Sequence, residues 1–175
     1  MTPRVPRPAA RAYMLSLLAV RKIQLGAEWG IKFPYSWLLW EPGVWQPSAG
    51  AGSPTLMGGK VGLGARPGQG DALCFELAGP RALKVGRSPE CDVVLNDATV
   101  SREHLLLEPI ALPDAWSVRL LPGANARLET QPLSSLPVPL APRHTLRLGD
   151  VSLTFYTSET FGSRLDETLR LGRDG

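Results

Sequence analysis

The sequence predicts an all-β fold, a β-sandwich of two packed sheets, preceded by a poorly ordered N-terminal extension and followed by a short C-terminal helix. Three observations carry this prediction. Beyond Gly70, short apolar or alternating runs recur at close spacing; Gly, Pro, Asn and Asp punctuate them; and no helical periodicity intervenes. Strands in that arrangement bury their apolar faces by packing one sheet on another.

The elements follow in order. Residues 1–69 form the N-terminal extension. Within it, Ala12 to Leu25 has the pattern of a short amphipathic helix, and Trp29, Trp37, Trp40 and Trp45 crowd a stretch broken by Pro34 and Pro42. Indole rings carry a large apolar area with a polar handle, so such a cluster can dock a partner or a membrane surface. The expectation here is that it is poorly ordered or packs on its own domain. Translation from Met14 or Met57 would make part of the extension a gene-start artefact. Gly43 to Gly70 has the glycine, serine and proline content of a flexible linker. Gly59-Lys60 within it is no phosphate-cradling loop. Pro54 occupies the first glycine position and Val61 replaces the magnesium-binding hydroxyl.

Residues 70–158 form the sandwich. Strands are expected at Leu73 to Leu77 and Arg81 to Val85, joined by a hairpin at Ala78-Gly79-Pro80, then at Asp92 to Leu95, Leu105 to Glu108 and Trp116 to Leu120. Ser88-Pro89, Asn96-Asp97, Pro113-Asp114 and Pro122-Gly123 are the turns between them. Arg127 to Glu129, a stretch around Val138, His144 to Leu148 and Val151 to Tyr156 complete the set. Residues 159–175 form a tail in which Ser163 to Asp166 has the form of a capping box and Gly172 is a plausible stop.

Composition excludes several classes of function. A length of 175 residues suits one domain with tails, and 43% apolar with 20% charged residues suits a soluble core. The charge of +3 is mildly basic, but the arginines are scattered, which argues against a nucleic-acid partner. Cys74 and Cys91 lack the number and spacing of a zinc site or a disulfide framework and read as reduced, buried hydrophobes, so neither metal nor cofactor is expected. The run Met14 to Val20 is too short to span a bilayer and lacks a clean cleavage site, so the expected location is cytoplasmic.

Two neighbouring motifs carry the function. Val85-Gly86-Arg87-Ser88-Pro89-Glu90-Cys91-Asp92-Val93-Val94-Leu95 leads into Val100-Ser101-Arg102-Glu103-His104. Arg87 and Arg102 offer positive charge and Ser101 a hydroxyl, on two loops that the strand pattern brings to one end. A phosphothreonine carries nearly two negative charges and three acceptor oxygens, and its receptor needs such donors on rigid strand tips. Gly-Arg, an Asp-apolar-apolar-Leu strand and Ser-Arg-x-His at this spacing resemble the forkhead-associated (FHA) family. The resemblance covers about half the chain and extends to Leu146-Arg147-Leu148-Gly149-Asp150-Val151, similar to the turn before that family's last strand.

The resemblance implies a non-enzymatic module that binds a phosphothreonine-containing protein after a Ser/Thr kinase has acted. Arg87 and Ser101 would bind phosphate, Arg102 would assist, and Asn125 would hold the peptide backbone. Gly86 and His104 would be structural. The family's usual Ser/Thr-x-Asn-Gly-Thr is here Gly123-Ala124-Asn125-Ala126-Arg127, without the glycine turn or the hydroxyls. That departure motivates an alternative, a phospho-independent scaffold or self-association domain. A hydrolase built on Ser101 and His104 lacks a nucleophile elbow and a third member. Asp92 is expected to cap or brace a turn and Gly149-Asp150 to be a turn pair. Thr157, Thr160 and Thr168 on the tail are candidate ligands for the same domain or a neighbour.

Overall fold

The computed structural model describes residues 10–40, 71–110 and 115–173. The Gly43 to Gly70 linker with its Gly59-Lys60, Trp45, Met57 and the Pro113-Asp114 turn lie outside the described residues.

Within them the chain runs β1 (Ala12–Met14), α1 (Leu15–Leu25), α2 (Trp29–Lys32), β2 (Ser36–Trp40), β3 (Leu73–Leu77), β4 (Leu83–Gly86), β5 (Val93–Val94), β6 (Leu105–Pro109) and β7 (Trp116–Leu120). It continues through β8 (Arg127–Leu128), β9 (Gln131–Pro132), β10 (Val138–Pro139), β11 (Thr145–Leu148), β12 (Val151–Tyr156) and α3 (Ser158–Arg173). One sheet has the order β1-β3-β2-β12-β11-β8-β9 and the other β10-β7-β6-β4-β5. The fold is therefore a predominantly β two-sheet sandwich. Among the described residues no helix is long and apolar enough to cross a membrane.

Part of the extension belongs to the sandwich. Residues 1–9 and 41–70 lie outside the described residues, but β2 sits between β3 and β12 in the larger sheet, with all five of its residues buried. Strand periodicity explains why. Successive side chains point to opposite faces, so Leu38 and Trp40 enter the core between the sheets while Trp37 and Leu39 enter a second core on the outer face. Such a two-faced strand has no polar side to show, and its Trp-Leu-Leu-Trp run lacks the alternation that marked the later strands. Trp29, Trp37 and Trp40 thus pack on their own domain. A chain begun at Met57 would lack this strand.

The outer core is an aromatic layer covered by α1, α2 and α3. Trp37 stacks on Phe161 of α3 at 4.6 Å between ring centroids, and Trp29 stacks on Phe33 at 4.5 Å. Tyr13 approaches Trp37 edge-on and donates its hydroxyl to Glu76 Oε2 at 3.0 Å. Burial, then the Glu76 carboxylate, push the Tyr13 phenol up to about 12. The expected helix in Ala12 to Leu25 forms from Leu15, because Ala12 to Met14 pair with β3.

Two local expectations need correction. Ala78-Gly79-Pro80 is no hairpin: β3 pairs with β1 and β2, β4 pairs with β5 and β6, and the turn carries the chain from one sheet to the other. The C-terminal helix begins at Ser158, so Ser163 and Gly172 lie within it. Its start is a different capping box. The Thr157 N–H donates to Thr160 Oγ1 at 2.9 Å and the Thr160 N–H to Thr157 Oγ1 at 3.3 Å, a reciprocal cap with threonine at the third position. The Thr168 hydroxyl is also engaged, with Arg164 Nη1 at 2.6 Å.

Candidate functional site

Gly86 ends β4 where the chain passes under Arg102. A Cβ at Gly86 would collide with the Arg102 carbonyl, so only glycine lets the two strands of backbone approach this closely. The approach is sealed by backbone bonds: Arg87 N–H donates to Ser101 O at 2.9 Å and Ser88 N–H to Arg102 O at 3.0 Å. Cys91 Sγ lies 3.2 Å from the same Arg102 oxygen, and burial pushes its thiol up to about 11. Sequence reasoning assigned Cys91 only to packing. Its place five residues after Gly86 gave no hint that it would brace Arg102.

The structure thus brings Arg87, Ser101 and Arg102 onto two tied loops. Arg87 is exposed, and its Nε donates to Val100 O at 3.1 Å, which steers the guanidinium along the Ser101 loop. Arg102 is exposed and Ser101 half-buried. Among the described residues neither arginine forms an ion pair, whereas Lys22, Lys84, Arg81, Arg119 and Arg143 each meet a carboxylate.

His104 joins this pair of loops to a third. Its Nδ1 accepts the Ser101 N–H at 2.9 Å and its Nε2 lies 2.6 Å from Asn125 O, which requires the tautomer with the proton on Nε2. The ring is buried, and desolvation holds it below the ordinary imidazole range despite the opposing Asn125 carbonyl. Both ring nitrogens are spent on backbone groups. None is left to take a proton from the Ser101 hydroxyl, which is what a hydrolytic pair needs.

The third loop runs from Leu121 to Ala126. Leu121 N–H donates to His104 O at 3.0 Å, and Gly123 takes φ +82°. Ala124 and Ala126 are buried, so their methyl groups fill the space beneath the loop and leave Asn125 exposed between them. Asn125 is tied to the other site residues through its backbone.

Support comes from below as well. Asp92 is 1% exposed, and its Oδ2 accepts the Lys84 N–H at 2.9 Å while Arg81 approaches Oδ1 at 3.4 Å. Thr99 Oγ1 accepts the Asp150 N–H at 2.8 Å, and Gly149, at φ +59°, leaves room for that contact. The turn before β12 therefore holds the loop that leads to Ser101, which the sequence offered only as an isolated turn pair.

The loops enclose an open cleft of about 460 Å³ lined by Ser88, Glu90, Ser101, Arg102, Glu103, Pro122 and Gly123. Arg87 and Asn125 are not part of its lining. The two carboxylates were not among the residues singled out from the sequence, because no motif position marks them.

The family model for the inner membrane component of T3SS, cytoplasmic domain (Yop-YscD), an FHA-type domain, matches residues 67–159, more than half of the chain. No curated protein matches the chain by sequence. Solved structures similar to it include the FHA domain of the CT664 protein from Chlamydia trachomatis, at 18% identity over 69% of this chain and 96% of that one, TM-score 0.46. An FHA domain from Arabidopsis thaliana is 19% identical over 70% of this chain and 86% of that one, TM-score 0.47. The N-terminal FHA domain of S. cerevisiae Rad53p, in complex with a phosphothreonine peptide, is 16% identical over 57% of this chain and 91% of that one, TM-score 0.43.

Proposed function

Because the chain belongs to this FHA-type family, we propose that it is a phosphothreonine-dependent binding module, recruiting a cytoplasmic partner that a Ser/Thr kinase has phosphorylated. Arg87 and Ser101 take the phosphate, Arg102 assists, and Asn125 holds the backbone of the bound peptide. The module does no chemistry of its own, and Gly86 and His104 keep its loops in place.

The observation that carries this reading is the pair of backbone bonds from Arg87 and Ser88 to Ser101 and Arg102. They fix the backbone from which two guanidinium-bearing side chains and a hydroxyl project before any ligand arrives. A fixed backbone lowers the cost of assembling these donors around a ligand, and charge-assisted bonds to phosphate are the strong kind.

Fluorescence polarisation with a degenerate phosphothreonine peptide library tests the reading on the full chain, with phosphoserine and unphosphorylated libraries alongside. Arg87→Ala is expected to weaken binding by about ten- to a hundredfold, the loss of one hydrogen bond to a charged group. Unchanged affinity in that variant would overturn the site assignment.

A second reading, a phospho-independent scaffold, draws on the exposed apolar residues Leu17, Val20 and Ile23 of α1, at 46%, 49% and 58% exposure. Equal binding of phosphorylated and plain peptide would favour it.

A further inference from the structure

The cleft beside the proposed phosphate site does not carry charge of one sign. Ser101 and Arg102 line it together with Glu90 and Glu103. The two carboxylates differ in what already meets them. Glu103 Oε1 lies 2.8 Å from Lys84 Nζ, so its charge is matched. Glu90 is exposed and forms no ion pair among the described residues, although Arg102 lines the same cleft. Its backbone is held in place: the Glu90 N–H donates to Ser88 Oγ at 3.3 Å, and Ser88 is bonded to Arg102 O.

A phosphate held by Ser101 and Arg102 would share this cleft with Glu90, a like charge that weakens binding. A ligand that carries a cation next to its phosphate turns the same carboxylate into an attraction. We propose that Glu90 is a specificity residue, selecting phosphothreonine ligands with lysine or arginine beside the phosphothreonine and rejecting those with acidic neighbours. The proposal rests on the phosphothreonine reading above and adds the chemical class of the flanking sequence. Specificity of this kind arises as much from repulsion of the wrong ligand as from attraction of the right one.

Three peptides test it, identical except that the two residues on each side of the phosphothreonine are Lys, Ala or Glu. Each is titrated by fluorescence polarisation against the full chain and its Glu90→Gln and Glu90→Lys variants. The unaltered protein is expected to prefer Lys over Ala by about two- to fivefold, the range of an exposed ion pair, and to bind the Glu peptide more weakly than the Ala peptide. The preference should shrink as salt is raised, vanish in Glu90→Gln and reverse in Glu90→Lys. Thermal melts of the two variants check that the fold is retained. Equal binding of all three peptides, with dependence on phosphate and Arg87 intact, overturns the proposal and leaves the phosphothreonine reading standing. Persistence of the Lys preference in Glu90→Gln assigns the selection to another residue and likewise overturns it. Failure of every phosphopeptide to bind removes both.

Discussion

The loop edge around Ser101 and the helix-covered face of the larger sheet are held together by different forces. At the loop edge, direction decides: His104 bonds two loops through its two nitrogens, Gly86 permits one close approach, and Thr99 pins a turn. On the covered face, area decides: Trp29, Phe33, Trp37 and Phe161 form a continuous aromatic layer between β2 and the helices. The first kind of order needs particular residues at particular spacings. The second needs only enough apolar surface on both sides of one strand. Binding is expected to fail when the first is damaged, and folding when the second is.

The sharpest way to break this contrast is to remove the second region altogether. A chain starting at Met57 loses β1, β2, α1 and α2. Burying a tryptophan is worth about 3 to 5 kcal/mol by truncation, and a whole domain is stable by about 5 to 15, so this chain should show no cooperative thermal transition by circular dichroism. A cooperative melt would mean that β2 is dispensable. A smaller step is Trp37→Ala, expected to cost about 3 to 5 kcal/mol in urea unfolding while leaving peptide affinity at low temperature unchanged. Loss of affinity in the folded variant would show that the two regions are coupled.

The mildest expected effect is titration of His104. Its folded-state pKa lies below the ordinary value of 6.5, so the unfolded chain binds the proton more readily. The stability owed to the neutral ring is complete above 6.5 and is lost as pH falls through the folded-state value. The slope cannot exceed about 1.4 kcal/mol per pH unit for one group. Urea midpoints between pH 7.5 and 5 should fall, and fall less in His104→Gln. Equal slopes in the two proteins would assign the effect to other groups.

The same division explains what the sequence disclosed. The strands Leu73–Leu77, Trp116–Leu120 and Val151–Tyr156 were readable because short apolar runs ended at Gly, Pro or Asp turns. That the loops of Arg87, Ser101 and His104 meet was readable because hydrogen-bonded loops constrain residue type and spacing together. β2 was not, since a strand buried on both faces loses its alternation, and Pro34 and Pro42 on either side looked like breaks in structure. Thr157 and Thr160 escaped for a subtler reason. A capping box usually carries Glu or Gln at its third position, and threonine there gave no acidic signal. Glu90 had no signal at all, because a lone carboxylate acquires meaning only from the cleft around it.

The pairing of β2 with β12 also constrains how the protein is made. Trp37 lies opposite Tyr156 and Trp40 opposite Leu153, so the centre of the larger sheet joins two strands separated by more than a hundred residues of sequence. On the ribosome, Trp37 and Leu39 have no completed sheet to enter until β12 has emerged. Contacts this distant in sequence are slow to form, and an apolar strand left waiting is a target for self-association. A nascent chain released before Val151 would leave the β12 edge of that strand unpaired, which makes synthesis through β12 a condition of solubility.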